Sequence, residues 1–158
     1  MSYWVWDPSF SVNIAVIDDQ HKRIIEYINE LNSALLYDNK QKVTIVLHQL
    51  IDYTISHLAF EESLMQEAGY EKLEPHKKVH ASFVGRIDHF KERSLGGEDI
   101  TRALMNELQV WLLGHIQHDD KDYMQSVTTM LEKKDIVATK NQAKEGWLKS
   151  LVDAFFKK

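Results

Sequence analysis

The chain contains no cysteine. Disulfides, thiolate nucleophiles and cysteine metal sites are thereby excluded, and any bound metal must be held by nitrogen and oxygen. Proline occurs twice and glycine six times in 158 residues, too little turn punctuation for a sheet protein of this length and consistent with long helices. No apolar run reaches the roughly 18 residues that would mark a membrane span. The opening MSYWVWDPSF lacks the basic region and apolar run of a signal peptide, so a soluble cytoplasmic protein is expected. The formal charge is −5, and no basic stretch offers a footprint for nucleic acid.

Apolar residues make up 44% and charged residues 27% of the chain, the balance of one globular domain with a real core. Residues 1–17 are aromatic and β-branched, and read as an extended arm lying over that core. Asp18 or Asp19 is expected to cap a first helix that runs to about Leu36, with Ile24, Ile25, Ile28, Leu31 and Leu35 inward. A second helix is predicted from Gln41 to Ala68, its stripe formed by Val43, Leu47, Leu50, Thr54, His57, Glu61 and Leu64, and Gly69 ends it. A third runs from Leu73 or Pro75 to about Arg93 through His76, His80, Phe83, Ile87 and Phe90. Gly96 and Gly97 break the chain, and Glu98 or Asp99 starts a fourth helix reaching about Lys133. Long helices joined by short turns pack as antiparallel neighbours, so the fold class is all-α: an up-and-down antiparallel four-helix bundle with an N-terminal arm. The organisation expected is a bundle with its arm over residues 1–133, then a linker and amphipathic helix over 134–158.

Eight histidines need an explanation. Five of them, His21, His57, His76, His80 and His115, interrupt apolar stripes where leucine is expected. His57 and Glu61 are four apart, as are His76 and His80, so each pair shares a helix face. Burying such groups without partners costs about 2–7 kcal/mol each, and a shared metal site removes that cost. His48 and His89 lie nine positions from His57 and His80; at about 100° per residue they face solvent. His118 is ambiguous by geometry and is read as a non-ligand. On the fourth helix, spacing alone favours Asp119, four residues after His115, over Asp120.

At this point the sequence resembles the hemerythrin family, specifically its single-domain bacterial members. The resemblance rests on Asp18-Asp19-Gln20-His21, His57 to Glu61, His76 to His80 and His115 to Asp120, in that order. Phe60-Glu61-Glu62, Met65, Gly69-Tyr70 and Trp111-Leu112 also match, and the likeness covers about residues 3–131. Glu71 departs from it, standing where the family often has proline. The resemblance implies metal ligands His21, His57, Glu61, His76, His80, His115 and Asp120, and so selects Asp120 against the spacing argument. It implies two iron ions per chain, bridged by Glu61, Asp120 and an oxo or hydroxo group, with His76, His80 and His115 on one iron and His21 and His57 on the other.

The function so implied is reversible dioxygen binding at a non-haem diiron site, for carriage, storage or delivery of oxygen. No glutamate lies three residues before any histidine, unlike the Glu-x-x-His motif of ferritin-like diiron oxidases; a nitrogen-rich site favours binding over activation of oxygen. The alternatives are a diiron enzyme with peroxidase-like or nitric-oxide-handling activity, and an oxygen or redox sensory module. Ile24, Ile25, Leu50, Leu64, Phe83, Leu108, Trp111 and Leu112 are expected to enclose the pocket. In the tail, Trp147, Leu148, Leu151, Val152, Phe155 and Phe156 recur at helical spacing. A helix that short needs a surface to cover; packing on its own bundle near the N-terminal arm is expected, with a second subunit or an oxygen-using partner as the other candidates.

Overall fold

A computed structural model describes residues 3–140 and 146–156; the middle of the predicted linker, residues 141–145, and Lys157 and Lys158 lie outside the described residues. Among the described residues six α-helices follow one another: α1 (Ala15–Leu36), α2 (Lys40–Glu67), α3 (Leu73–Leu95), α4 (Thr101–Gly114), α5 (Lys121–Lys133) and α6 (Gly146–Phe156). A single π-turn, His115–Asp120, joins α4 to α5, so the two together make the fourth rod of the bundle. The predicted stripes point inward: Ile24, Ile28, Leu31, Leu50, Leu64, Phe83, Ile87, Leu104 and Leu108 are buried in one core. No helix among the described residues is long and apolar enough to cross a membrane.

The start of α1 differs from expectation. The helix begins at Ala15, three residues before Asp18, and neither Asp18 nor Asp19 is its cap. Asp18 instead turns back to the arm, accepting hydrogen bonds from the Val12 N–H (2.9 Å) and the Ser11 hydroxyl (2.6 Å). The first free amide of the helix, at Ala15, donates to the Ala138 carbonyl at 2.7 Å, so a residue beyond α5 satisfies a donor that a side-chain cap would otherwise take. Further along the arm, Trp4 is buried and exchanges two 2.8 Å hydrogen bonds with the Asn29 side chain.

Turn chemistry sets the remaining boundaries. Asn39 caps α2 by accepting from the Lys42 N–H. Gly69 ends that helix at φ 64°, a left-handed conformation that glycine adopts without strain. The fourth rod starts at Thr101, whose N–H donates to Asp99.

The tail helix α6 packs on α2. Its Phe155 and Phe156 rings lie 6.1 and 5.8 Å from Phe60, and Phe156 lies 4.9 Å from Tyr53. At its other end Lys134 sits over the Trp147 ring and pairs with Glu67 on α2. Leu148 is buried outright. This cover explains why Phe60, on the outer side of α2, has no exposed surface.

Candidate metal centre

Four elements aim polar side chains at one point inside the bundle. Helix α1 supplies His21, α2 supplies His57 and Glu61, α3 supplies His76 and His80, and the π-turn supplies His115 and Asp120; all seven are buried. Each histidine turns Nε2 toward the carboxylates. Glu61 Oε1 lies 2.7 Å from His57 and 3.4 Å from His21. Its other oxygen, Oε2, lies 3.3 Å from His80, 3.4 Å from His115 and 3.8 Å from His76. Asp120 divides in the same way, with Oδ2 at 3.1 Å from His21 and Oδ1 at 2.8 Å from His115 and 3.7 Å from His76. Each carboxylate thus spans two clusters of donors, one around His21 and His57, the other around His76, His80 and His115.

The π-turn accounts for Asp120. In a regular α-helix Asp119, four residues after His115, would share its face. The wider π-turn inserts one residue, so Asp120 comes round to the interior and Asp119 falls outside it. There Asp119 Oδ2 accepts a 2.9 Å hydrogen bond from His115 Nδ1. His48, His89 and His118 are exposed.

The group fits a cation better than it fits protons alone. Both ring nitrogens of His21, Nε2 of His57 and of His76, Oε1 of Glu61 and both Asp120 oxygens are buried without a well-directed hydrogen bond, although they lie at ion-pair distances from one another. Such atoms cost about 1–3 kcal/mol each when unpaired. Two tetrads, Glu61 with His76, His80 and His115, and His21 with His57, Glu61 and Asp120, each bring their donor atoms within 4.8 Å of one another.

Electrostatics point the same way. Burial opposes charge on His21, yet hydrogen bonds and attraction from Asp120 and Glu61 push it up to about 9. Burial likewise opposes charge on His115, but Asp120, Asp119 and Glu61 raise it to about 12. Burial also opposes ionisation of Glu61; the charge of His57 and hydrogen bonds from His115, His21 and His57 outweigh it and hold the carboxyl well below the usual range. His57 itself is held below its ordinary value, chiefly by burial. The site attracts positive charge strongly enough to recruit protons against desolvation.

Sequence reasoning passed over two neighbours. Gln20, named only within its motif, is buried and accepts a 2.7 Å hydrogen bond from His57 Nδ1. Tyr123 is fully buried, one turn beyond Asp120, with its ring 5.6 Å from His76; burial first, then the Glu61 and Asp120 carboxylates, raise its hydroxyl well above the usual range. That i, i+3 spacing was the available signal. Trp111, expected at the pocket, is half-buried and stacks between Phe83 (3.7 Å) and His115 (4.4 Å), so it packs on an imidazole face as well as lining the core.

A helical bundle that turns five imidazoles and two carboxylates inward from four rods is a cation-binding bundle. The chain belongs to the hemerythrin family: the model of the hemerythrin HHE cation binding domain matches residues 12–127. It is 40% identical to a bacteriohemerythrin of Stenotrophomonas maltophilia and 38% identical to one of Pseudomonas aeruginosa, each over 156 residues and 99% of both chains. Among solved structures it is similar to a wild-type hemerythrin, with a TM-score of 0.74 and 30% identity over 80% of this chain and 99% of that one. The two bacteriohemerythrins therefore share the tail that carries α6, whereas the solved hemerythrin is spanned almost whole by four-fifths of this chain.

Proposed function

We propose that the chain binds dioxygen reversibly at a non-haem diiron centre, as a carrier, store or delivery protein. The observation that carries this reading is the division of Glu61 and Asp120 between two donor clusters, each oxygen facing a different set of imidazoles. On this reading His76, His80 and His115 would hold one iron, His21 and His57 the other, and the Glu61 and Asp120 carboxylates would serve both. When bound, the iron pair supplies the two electrons that dioxygen takes up and gives back.

The protein's part is to orient and to exclude. Packing of four rods fixes the imidazoles, and the outward nitrogens of His57 and His115 are tied to Gln20 and Asp119, which sets the direction of those two rings before metal arrives. Three nitrogens at one cluster and two at the other leave the His21 and His57 side with fewer protein donors, so that side is where an exogenous ligand has room. Ile24, Ile25, Leu50, Leu64, Phe83, Leu108 and Leu112 are buried in the core of the bundle, and an apolar interior keeps bulk water, and with it irreversible oxidation, away. Metal binding belongs to residues 1–133 in this reading, with 134–158 as a cover.

Iron counting with optical spectroscopy tests it. Two irons per chain are expected, nearly colourless when reduced, with visible ligand-to-iron charge-transfer bands that appear under oxygen and fade as its pressure falls. One iron per chain, stoichiometric zinc despite ample iron, or steady oxygen consumption with a reductant would overturn the proposal.

A further inference from the structure

The residues just outside the seven inward side chains divide as unequally as the ligands do. His115 Nδ1 donates to the carboxylate of Asp119 at 2.9 Å. His80 Nδ1 has no hydrogen-bond partner, the Glu62 carboxylate lying 3.7 Å away. Both histidines belong to the cluster of three. In the cluster of two, His57 Nδ1 donates to the neutral amide oxygen of Gln20 at 2.7 Å, fully inside the protein, and His21 Nδ1 has no hydrogen-bond partner. Each cluster thus has one tied outer nitrogen, held by the anionic Asp119 in the cluster of three and by the uncharged Gln20 in the cluster of two.

That difference has a chemical consequence. A carboxylate on Nδ1–H draws the proton toward itself and makes the imidazole a stronger electron donor through Nε2; an amide oxygen fixes the ring but donates far less. We infer that Asp119 and Gln20 are positioning residues that make the two metal positions unequal. Asp119 biases the three-histidine position toward the higher charge state, and Gln20 keeps the two-histidine position electron-poor and open to a ligand. The inference rests on the diiron reading given above. It also gives Asp119 a place: the π-turn that brings Asp120 inward leaves Asp119 pointing at the outer nitrogen of the same histidine, so one irregular turn supplies both an inner and an outer carboxylate.

Two charge-changing, nearly isosteric substitutions test it: Asp119→Asn, which keeps an acceptor and removes the charge, and Gln20→Glu, which keeps the acceptor and adds one. Each is loaded with enriched iron, reduced, and compared with the unaltered protein by Mössbauer spectroscopy and by competition for ferrous ion against a chelator. Asp119→Asn is expected to shift the doublet of one iron and to weaken its binding by about tenfold, the lower end of the usual effect of outer hydrogen-bond partners. Gln20→Glu is expected to shift the other doublet alone and to tighten binding there. A purely structural role would move both doublets together or neither. Either result, with two irons still bound, overturns the inference and leaves the diiron reading intact. Failure of the unaltered protein to bind two irons would count against that reading instead.

Discussion

Replacing His21 with leucine is expected to change how the chelated protein's stability depends on pH, and the structure fixes the sign. The His21 ring is fully buried between Asp120 and Glu61, and these raise its value from 6.5 in the unfolded chain to about 9. A group raised on folding contributes stability that is complete below its unfolded value and is lost as pH climbs through its folded value. At 1.36 kcal/mol per unit, the His21 contribution is about 3 kcal/mol, present at pH 6 and gone by about pH 10. His115, raised further still, makes the chelated protein lose stability over the same range, so the His21 share must be read as a difference. Urea unfolding of the chelated protein and of His21→Leu, at half-unit steps from pH 6 to 10, gives it directly. The two curves should lie about 3 kcal/mol apart at pH 6 and converge near pH 10, because at low pH the variant removes the positive charge that His21 places against Asp120 and Glu61. With iron in place the fall with pH should disappear in the unaltered protein, since the metal takes the role of the protons. A gap that widens with rising pH, or none at pH 6, would refute the reasoning.

His57→Ala and His80→Ala should lose iron by elemental analysis, while His48→Ala and His89→Ala, both exposed, should retain two per chain. Asp120→Ala should abolish the charge-transfer bands and Asp119→Ala should leave them visible; the reverse order would show that the π-turn does not set the register proposed. Phe60→Ala should cost about 3–5 kcal/mol in chemical unfolding, because that ring has no exposed surface and joins α2 to α6; a cost under about 1 kcal/mol would mean that α6 is not seated there in solution. Deleting residues 135–158 should leave iron content intact and speed autoxidation, followed optically. Unchanged kinetics with a drop from dimer to monomer in light scattering would place α6 in a subunit interface.

The rods and their inward faces were legible because burial imposes one periodicity on them. Ile24, Ile28, Leu31, Leu50, Leu64, Phe83 and Leu108 recur every three or four residues, and all are buried. Helix starts were less legible, since a cap is a competition for a few orphan donors and distant residues can win it. Asp18 looked like a cap from its place before the apolar run. The fold gives it to Val12 and Ser11 and satisfies Ala15 from Ala138, a residue more than a hundred positions away. Phe60 was likewise unreadable as core, because its burial depends on α6, whose docking face on α2 no local pattern encodes.

The fourth rod shows where periodicity stops being a guide. Counting at about 100° per residue from His115 selects Asp119, and the count fails because the backbone leaves the α-helix at His115–Asp120. A π-turn forgoes regular hydrogen bonding and persists where something repays it. Here it places Asp120 between His21, His76 and His115 and turns Asp119 onto His115 Nδ1. Neither contact exists for a regular helix, in which Asp119 would reach the interior and Asp120 would rotate away. Helix-forming residues on both sides cannot disclose such a turn. What discloses it is the conflict between regular helical geometry and a His-x4-Asp spacing, because the interior needs a carboxylate only where the irregular turn delivers one.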